Sequence, residues 1–163
     1  LLRATYRLDE PERREDRGFR LERIVRNLTD SGRDGSAAAP FALGDELLVT
    51  FRVFTERSQA YVAMEESLPA AFETVDPEYL RLTLREKLDA DAGENRASLS
   101  HWEKRDDRTL WYFDTVGAGT LAHSVVVRVT ASGRFQWPGA FVSPMYDGRF
   151  SGTSEGTTIE VRP

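Results

Sequence analysis

The chain has 163 residues, 40% of them hydrophobic, with 22 basic and 27 acidic side chains, a net charge of −5 and no cysteine. That length suits one domain with its own core, and the acidic balance excludes the basic field that non-specific nucleic-acid binding needs. The missing thiols exclude disulfides, thiolate nucleophiles and cysteine-ligated zinc or iron–sulfur sites.

Leu2 to Leu8 is the first predicted strand and Phe19 to Leu28 the second. Thr29 to Ala42, rich in Ser, Gly, Asp and Ala, reads as a polar surface loop. Gly44-Asp45 then breaks the chain before its clearest strand, where Leu47, Val49, Phe51 and Val53 share one face and Thr50 and Arg52 the other. Gln59 to Ser67 is the next strand, and Leu68-Pro69 and Asp76-Pro77 bracket a loop. Tyr79 to Leu88 is the one helix-compatible stretch, but Leu80, Leu82 and Leu84 alternate with Arg81, Thr83 and Arg85, which favours a strand. Asp89 to Ala97 is an acidic loop. Ser98 to Lys104 and Leu110 to Thr115 flank Arg105-Asp106-Asp107-Arg108, a hairpin turn by composition. After Gly117-Ala118-Gly119, Val125, Val127 and Val129 alternate with Val126, Arg128 and Thr130; Ser132-Gly133 ends that run, and Phe141 to Met145 and Thr157 to Val161 complete the set.

Nine or ten short strands without a convincing helix predict an all-β fold, an antiparallel β-sandwich or barrel. Val49, Phe51, Val53, Val125, Val127 and Val129 should point into one core, because a one-residue slip would put them all in water. No apolar run approaches the roughly 20 residues of a membrane-spanning helix. The chain starts at Leu1 rather than Met, and residues 1–163 read as one domain cut from a longer protein.

Chemistry is hard to find. His101 and His123 are the only histidines, 22 positions apart and in no metal-ligand pattern; both read as surface or edge residues, and no bound metal is expected. Ser124 follows His123, but strand neighbours point to opposite faces, so the two cannot act as a pair. No G-x-S-x-G occurs, and Ser151-Gly152-Thr153 reads as a polar loop. Glu65-Glu66 and Asp106-Asp107 are adjacent, whereas a glycosidase needs carboxyls facing across a cleft. Gly148, Gly152 and Gly156 form no phosphate-binding loop. Hence no catalytic residue and no cofactor is predicted. Trp102, Trp111 and Trp137 are core packing on one reading and a sugar-stacking platform on the other.

Five collinear stretches carry a resemblance. They are Gly44-Asp45-Glu46-Leu47-Leu48-Val49; Tyr61-Val62-Ala63-Met64-Glu65-Glu66-Ser67-Leu68-Pro69-Ala70-Ala71-Phe72-Glu73; Glu103 to Arg108 followed by Trp111-Tyr112-Phe113; Gly117-Ala118-Gly119-Thr120; and Phe135-Gln136-Trp137-Pro138 through Pro144-Met145-Tyr146-Asp147 to Ser151-Gly152-Thr153. Together, from about Gly44 to Val161, they resemble the C-terminal (tenth) macroglobulin-like domain of bacterial alpha-2-macroglobulins. The family usually has glycine where Ala71 stands and proline where Gly148 stands.

The resemblance implies a macroglobulin-like sandwich of fibronectin- or immunoglobulin-like architecture. It implies a place at the C-terminus of a large periplasmic or cell-envelope protein, lipid-anchored in one option, that entraps proteases cutting its bait region. In many members a thioester in a neighbouring domain then reacts with the attacker. The expected partners of this domain are the thioester domain and other macroglobulin-like domains of the parent chain. Proteases would be met indirectly, and neither nucleic acid nor membrane would be touched. Met145 and Tyr146 would shield the thioester from an exposed loop. The other function class, a carbohydrate-binding or adhesion-type module, rests on the tryptophans.

Overall fold

A computed structural model describes residues 13–29, 40–80 and 97–163. The predicted strand Leu2 to Leu8, the alternation beyond Leu80 and most of the two polar loops lie outside the described residues. Those described form β1 (Glu15–Arg17), β2 (Phe19–Asn27), β3 (Phe41–Ala42), β4 (Glu46–Thr55), β5 (Gln59–Ser67), β6 (Phe72–Thr74), β7 (Ala97–Lys104), β8 (Arg108–Val116), β9 (Gly119–Val129), β10 (Gly133–Trp137), β11 (Phe141–Pro144), β12 (Ser151–Thr153) and β13 (Thr157–Arg162), with one 3-10 turn at Pro77–Tyr79.

Three sheets result. One has the order β2-β4-β9-β6, a second β1-β12-β11-β5-β8-β7, and a small third β10-β13-β3. The fold is the expected all-β sandwich, and the sheets are antiparallel apart from β3, which runs parallel to β13 through Phe41↔Val161. The alternation seen in the sequence sets the inner faces. Val49, Phe51 and Val53 of β4 and Val125, Val127 and Val129 of β9 are all buried in one core, each worth roughly 1.5–3 kcal/mol. Across the layers they meet Val62 and Met64 of β5 and Trp111 and Phe113 of β8; the rings of Phe51 and Trp111 lie 5.5 Å apart. The small sheet closes one end, where Phe72 packs edge-on against Trp137 at 4.9 Å and against Phe41 at 6.0 Å.

The tetrapeptide Arg105–Arg108 is a hairpin turn, closed by the Arg105 N–H on the Arg108 carbonyl at 2.9 Å. Three loops of the sequence reading carry strands instead. Phe41–Ala42, at the end of the polar loop, is β3, Phe72–Thr74, between Leu68-Pro69 and Asp76-Pro77, is β6, and Ser151-Gly152-Thr153 is β12 rather than a loop. Gly152 explains why polarity misled: a Cβ there would sit 2.5 Å from the Phe19 carbonyl oxygen. The strand needs a bare backbone to lie that close to β2.

Candidate functional site

The ladder between β11 and β5 ends in an exposed apolar surface. Its register pairs Ser143 with Ala63 and Pro144 with Val62, which brings Met145 to Tyr61, and the Met145 N–H donates to the Tyr61 carbonyl at 2.7 Å. Proline has no N–H to extend a ladder and marks the strand end. Beyond it Met145 is 51% and Tyr146 81% exposed, and Tyr61 is 55% exposed. The Tyr61 and Tyr146 rings meet edge to face, 5.6 Å between centroids at 81°. Tyr61 has φ 53°, the one positive φ outside glycine among the described residues.

The turn after Tyr146 is fastened from within. The Asp147 carboxylate accepts the Arg149 backbone N–H at 3.2 Å and its guanidinium at 2.9 and 2.7 Å. Those bonds hold the Asp147 carboxyl down at about 2. Gly148 has open space around the position of a Cβ, with nothing within 4 Å. Three large apolar side chains thus stand together outside the sandwich, on a turn with its own scaffold. Such a patch can be pressed against another surface and exclude water there. Tyr61 entered the sequence reading only as part of a longer stretch; nothing in its local pattern announced the strained φ.

Inside the sandwich the sequence reading missed a charged cluster. Arg23 of β2 and Glu66 of β5 point inward from facing sheets, with Nη1 donating to Glu66 Oε1 at 3.0 Å. The Trp137 indole N–H donates to the same oxygen at 2.6 Å. Arg23 also donates to the Pro138 carbonyl at 2.6 Å, and its guanidinium carbon lies 4.1 Å over the Trp137 ring. Among the described residues Glu66 Oε2 has no hydrogen-bond partner. Burial pushes the Glu66 carboxyl up to about 7, against the pull of Arg23 and the Trp137 N–H. Parity was the available signal: Glu66 follows Val62 and Met64, and Arg23 sits between Leu21 and Val25, both at inward positions. Glu65, by contrast, faces out and pairs with Arg108 at 2.7 Å.

The reading of both histidines as surface or edge residues holds for His101 alone. His101 is exposed on β7, stacked on Tyr112 at 5.9 Å. His123 lies on β9, in the middle of its sheet, with its ring against Trp111 at 5.0 Å and Phe113 at 5.8 Å. It shares the inward parity of Leu121 and Val125, so its ring goes inside; burial lowers its pKa to about 4 and keeps it neutral. Ser124 points the other way, to Thr50 Oγ1 at 2.9 Å. Among the described residues no group of His, Asp or Glu gathers as a metal site. A shallow open cleft of about 390 Å³ runs past Asp16, Arg20, Phe54, Arg57 and Phe150; its charges are of both signs. The sugar-stacking platform fails on geometry. Trp111 and Trp137 are 3% and 1% exposed, and Trp102 packs against the core.

The family described as "Bacterial Alpha-2-macroglobulin MG10 domain" matches residues 18–148. An alpha-2-macroglobulin homolog of Nostoc sp. is 29% identical over 105 residues, covering 64% of this chain and 5% of the homolog. Salmonella alpha-2-macroglobulin reacted with methylamine superimposes with a TM-score of 0.80 at 18% identity, over 95% of this chain and 10% of that one. A native Escherichia coli alpha-2-macroglobulin fragment, spanning domain MG7 to the C-terminus, gives 0.75 at 21% identity, over 92% of this chain and 24% of the fragment. At these identities the solved structures establish the fold. The chain spans about a twentieth of the Nostoc relative's length.

Proposed function

The chain belongs to the MG10 domain family of bacterial alpha-2-macroglobulins, and from that premise we propose that it is a non-catalytic module of a protease-trapping envelope protein whose Met145 and Tyr146 cover the thioester of a neighbouring domain. The observation that carries this reading is the exposed pair itself, held out by a strand end and an Asp147–Arg149 clamp rather than folded into the core. Large apolar residues are normally inside, and this turn presents two at its tip with a third beside them.

The chemistry fits the assignment. A thioester survives only while water and amines are kept away. An aromatic ring and a flexible thioether exclude water without offering a nucleophile, and methionine adapts to an irregular surface. Burying each against a neighbour stabilises the closed arrangement by roughly 1.5–3 kcal/mol, enough to hold a latch and little enough for a conformational change to open it. The parent protein would be periplasmic or envelope-bound and would meet proteases through its other domains.

The test uses a full-length parent whose sequence carries a Cys-x-Glu-Gln stretch, the mark of a thioester. Tyr146→Ala should release free thiol spontaneously about tenfold faster or more, the loss expected from one buried aromatic contact. A release rate equal to that of the unaltered protein overturns the shielding role.

A further inference from the structure

We propose that Tyr61 is the positioning residue of this latch: its left-handed backbone aims a ring against which the Tyr146 ring is set. The inference rests on the shielding role given to Tyr146 above and names a residue that acts through it.

Strand β5 alternates cleanly at its far end, with Val62, Met64 and Glu66 buried and the residues between them partly exposed. Ala60 and Tyr61 break the alternation, since both are exposed. The ladder to β8 keeps step on either side, Ala60↔Thr115 and Val62↔Phe113, so no residue has been inserted. The irregularity is therefore conformational and sits in the φ of 53° at Tyr61. A bulky residue keeps such a φ only where its surroundings dictate it. Glycine would take it without strain, and the chain has a tyrosine there.

Two contacts show what the strain achieves. The Tyr61 carbonyl receives the Met145 N–H at 2.7 Å, which fixes the root of the turn. The Tyr61 ring meets Tyr146 edge to face at 5.6 Å, and among the described residues Tyr146 has no other aromatic neighbour. A ring that is 81% exposed would otherwise have to be ordered anew at each closure; one already set by a neighbour loses less freedom on docking.

The decisive variant is Tyr61→Gly in the full-length parent, because it removes the ring while relieving the backbone. Unfolding midpoint should stay level or rise. Thiol release should quicken about two- to tenfold, the range that an edge-to-face pair supports. Tyr61→Phe, which keeps the ring, should restore the original rate. In a Tyr146→Ala background, Tyr61→Gly should add nothing. If Tyr146→Ala quickens release and Tyr61→Gly does not, the positioning role falls and shielding stands. If Tyr61→Gly quickens release equally with Tyr146 absent, Tyr61 acts on its own and the inference is overturned. If Tyr146→Ala has no effect, the shielding role falls and takes this inference with it.

Discussion

The centre and the rim of this domain break the burial rule in opposite directions. At the centre, Arg23 and Glu66 stand where hydrocarbon belongs, with a glutamate oxygen left unpartnered. At the rim, Met145, Tyr146 and Tyr61 stand where polar groups belong. The central cluster connects everything around it: strands β2 and β5 from facing sheets and Trp137 of the small sheet. The rim turn connects mainly to itself. A buried ion pair whose every contact is internal has its consequence in the fold; an exposed apolar turn that contributes little to the fold has its consequence elsewhere. Mutation should therefore separate the two regions, with stability responding at the centre and partner chemistry at the rim.

The largest effect is expected from Glu66→Ala. It leaves the Arg23 guanidinium and the Trp137 N–H buried without the oxygen that accepts them, and urea unfolding above about pH 8, where Glu66 is charged, should show a loss of about 3–5 kcal/mol. The double change Arg23→Met with Glu66→Leu should recover most of that, because desolvating an ion pair costs nearly what the pairing returns. A loss under about 1 kcal/mol in the single variant would mean the cluster is not structural and would erase the contrast with the rim.

A smaller, pH-dependent effect should appear at the centre. Glu66 is raised from 4.5 to about 7 in the fold, so its contribution is complete below about 4.5 and is lost as pH rises through 7. His123 is lowered from 6.5 to about 4, so its contribution is complete above 6.5 and is lost as pH falls through 4. Between pH 4.5 and 6.5 the two slopes oppose each other. Urea midpoints of the unaltered chain should be nearly flat there. His123→Phe should show stability falling as pH rises, and Glu66→Gln the reverse. Parallel profiles in all three proteins would show that neither group is buried as described.

Least of all should come from the rim. Met145→Ala and Tyr146→Ala, measured by the same unfolding curves, should stay within about 0.5 kcal/mol of the unaltered chain. A loss above about 2 kcal/mol would put these side chains in the domain's own core.

What could be read from the sequence followed from period-two alternation. The valines of β9 and the apolar face of β4 announced the sandwich and its register, because one slip would have wetted them all. The charged hairpin between β7 and β8 was equally plain. Short strands with polar or small residues were not. Ser151-Gly152-Thr153 has the composition of a loop, and only the closeness of Phe19 reveals why glycine is there. His123 was assigned by residue type and Glu66 was weighed only as one of two adjacent acids, when the parity of their neighbours already placed both inside. The Met145–Tyr146 turn came from resemblance rather than periodicity, and the part given to Tyr61 needs a dihedral angle that no residue pattern encodes.

The order in which the sheets acquire their strands has a consequence for synthesis. The sheet β2-β4-β9-β6 is complete once Val129 has been made, and β5, β8 and β7 are already present to cover it. Strand β11, which covers the open side of β5, and β12, which links β11 to β1, are made later, as is β13 beside β3. At about 5–20 residues per second, β5 waits a few seconds on the ribosome with one row of peptide groups unpaired. An unpaired edge of this kind recruits strands from other chains. A nascent or truncated chain that stops before Phe141 should therefore self-associate through Gln59–Ser67, the strand that in the finished molecule carries Tyr61.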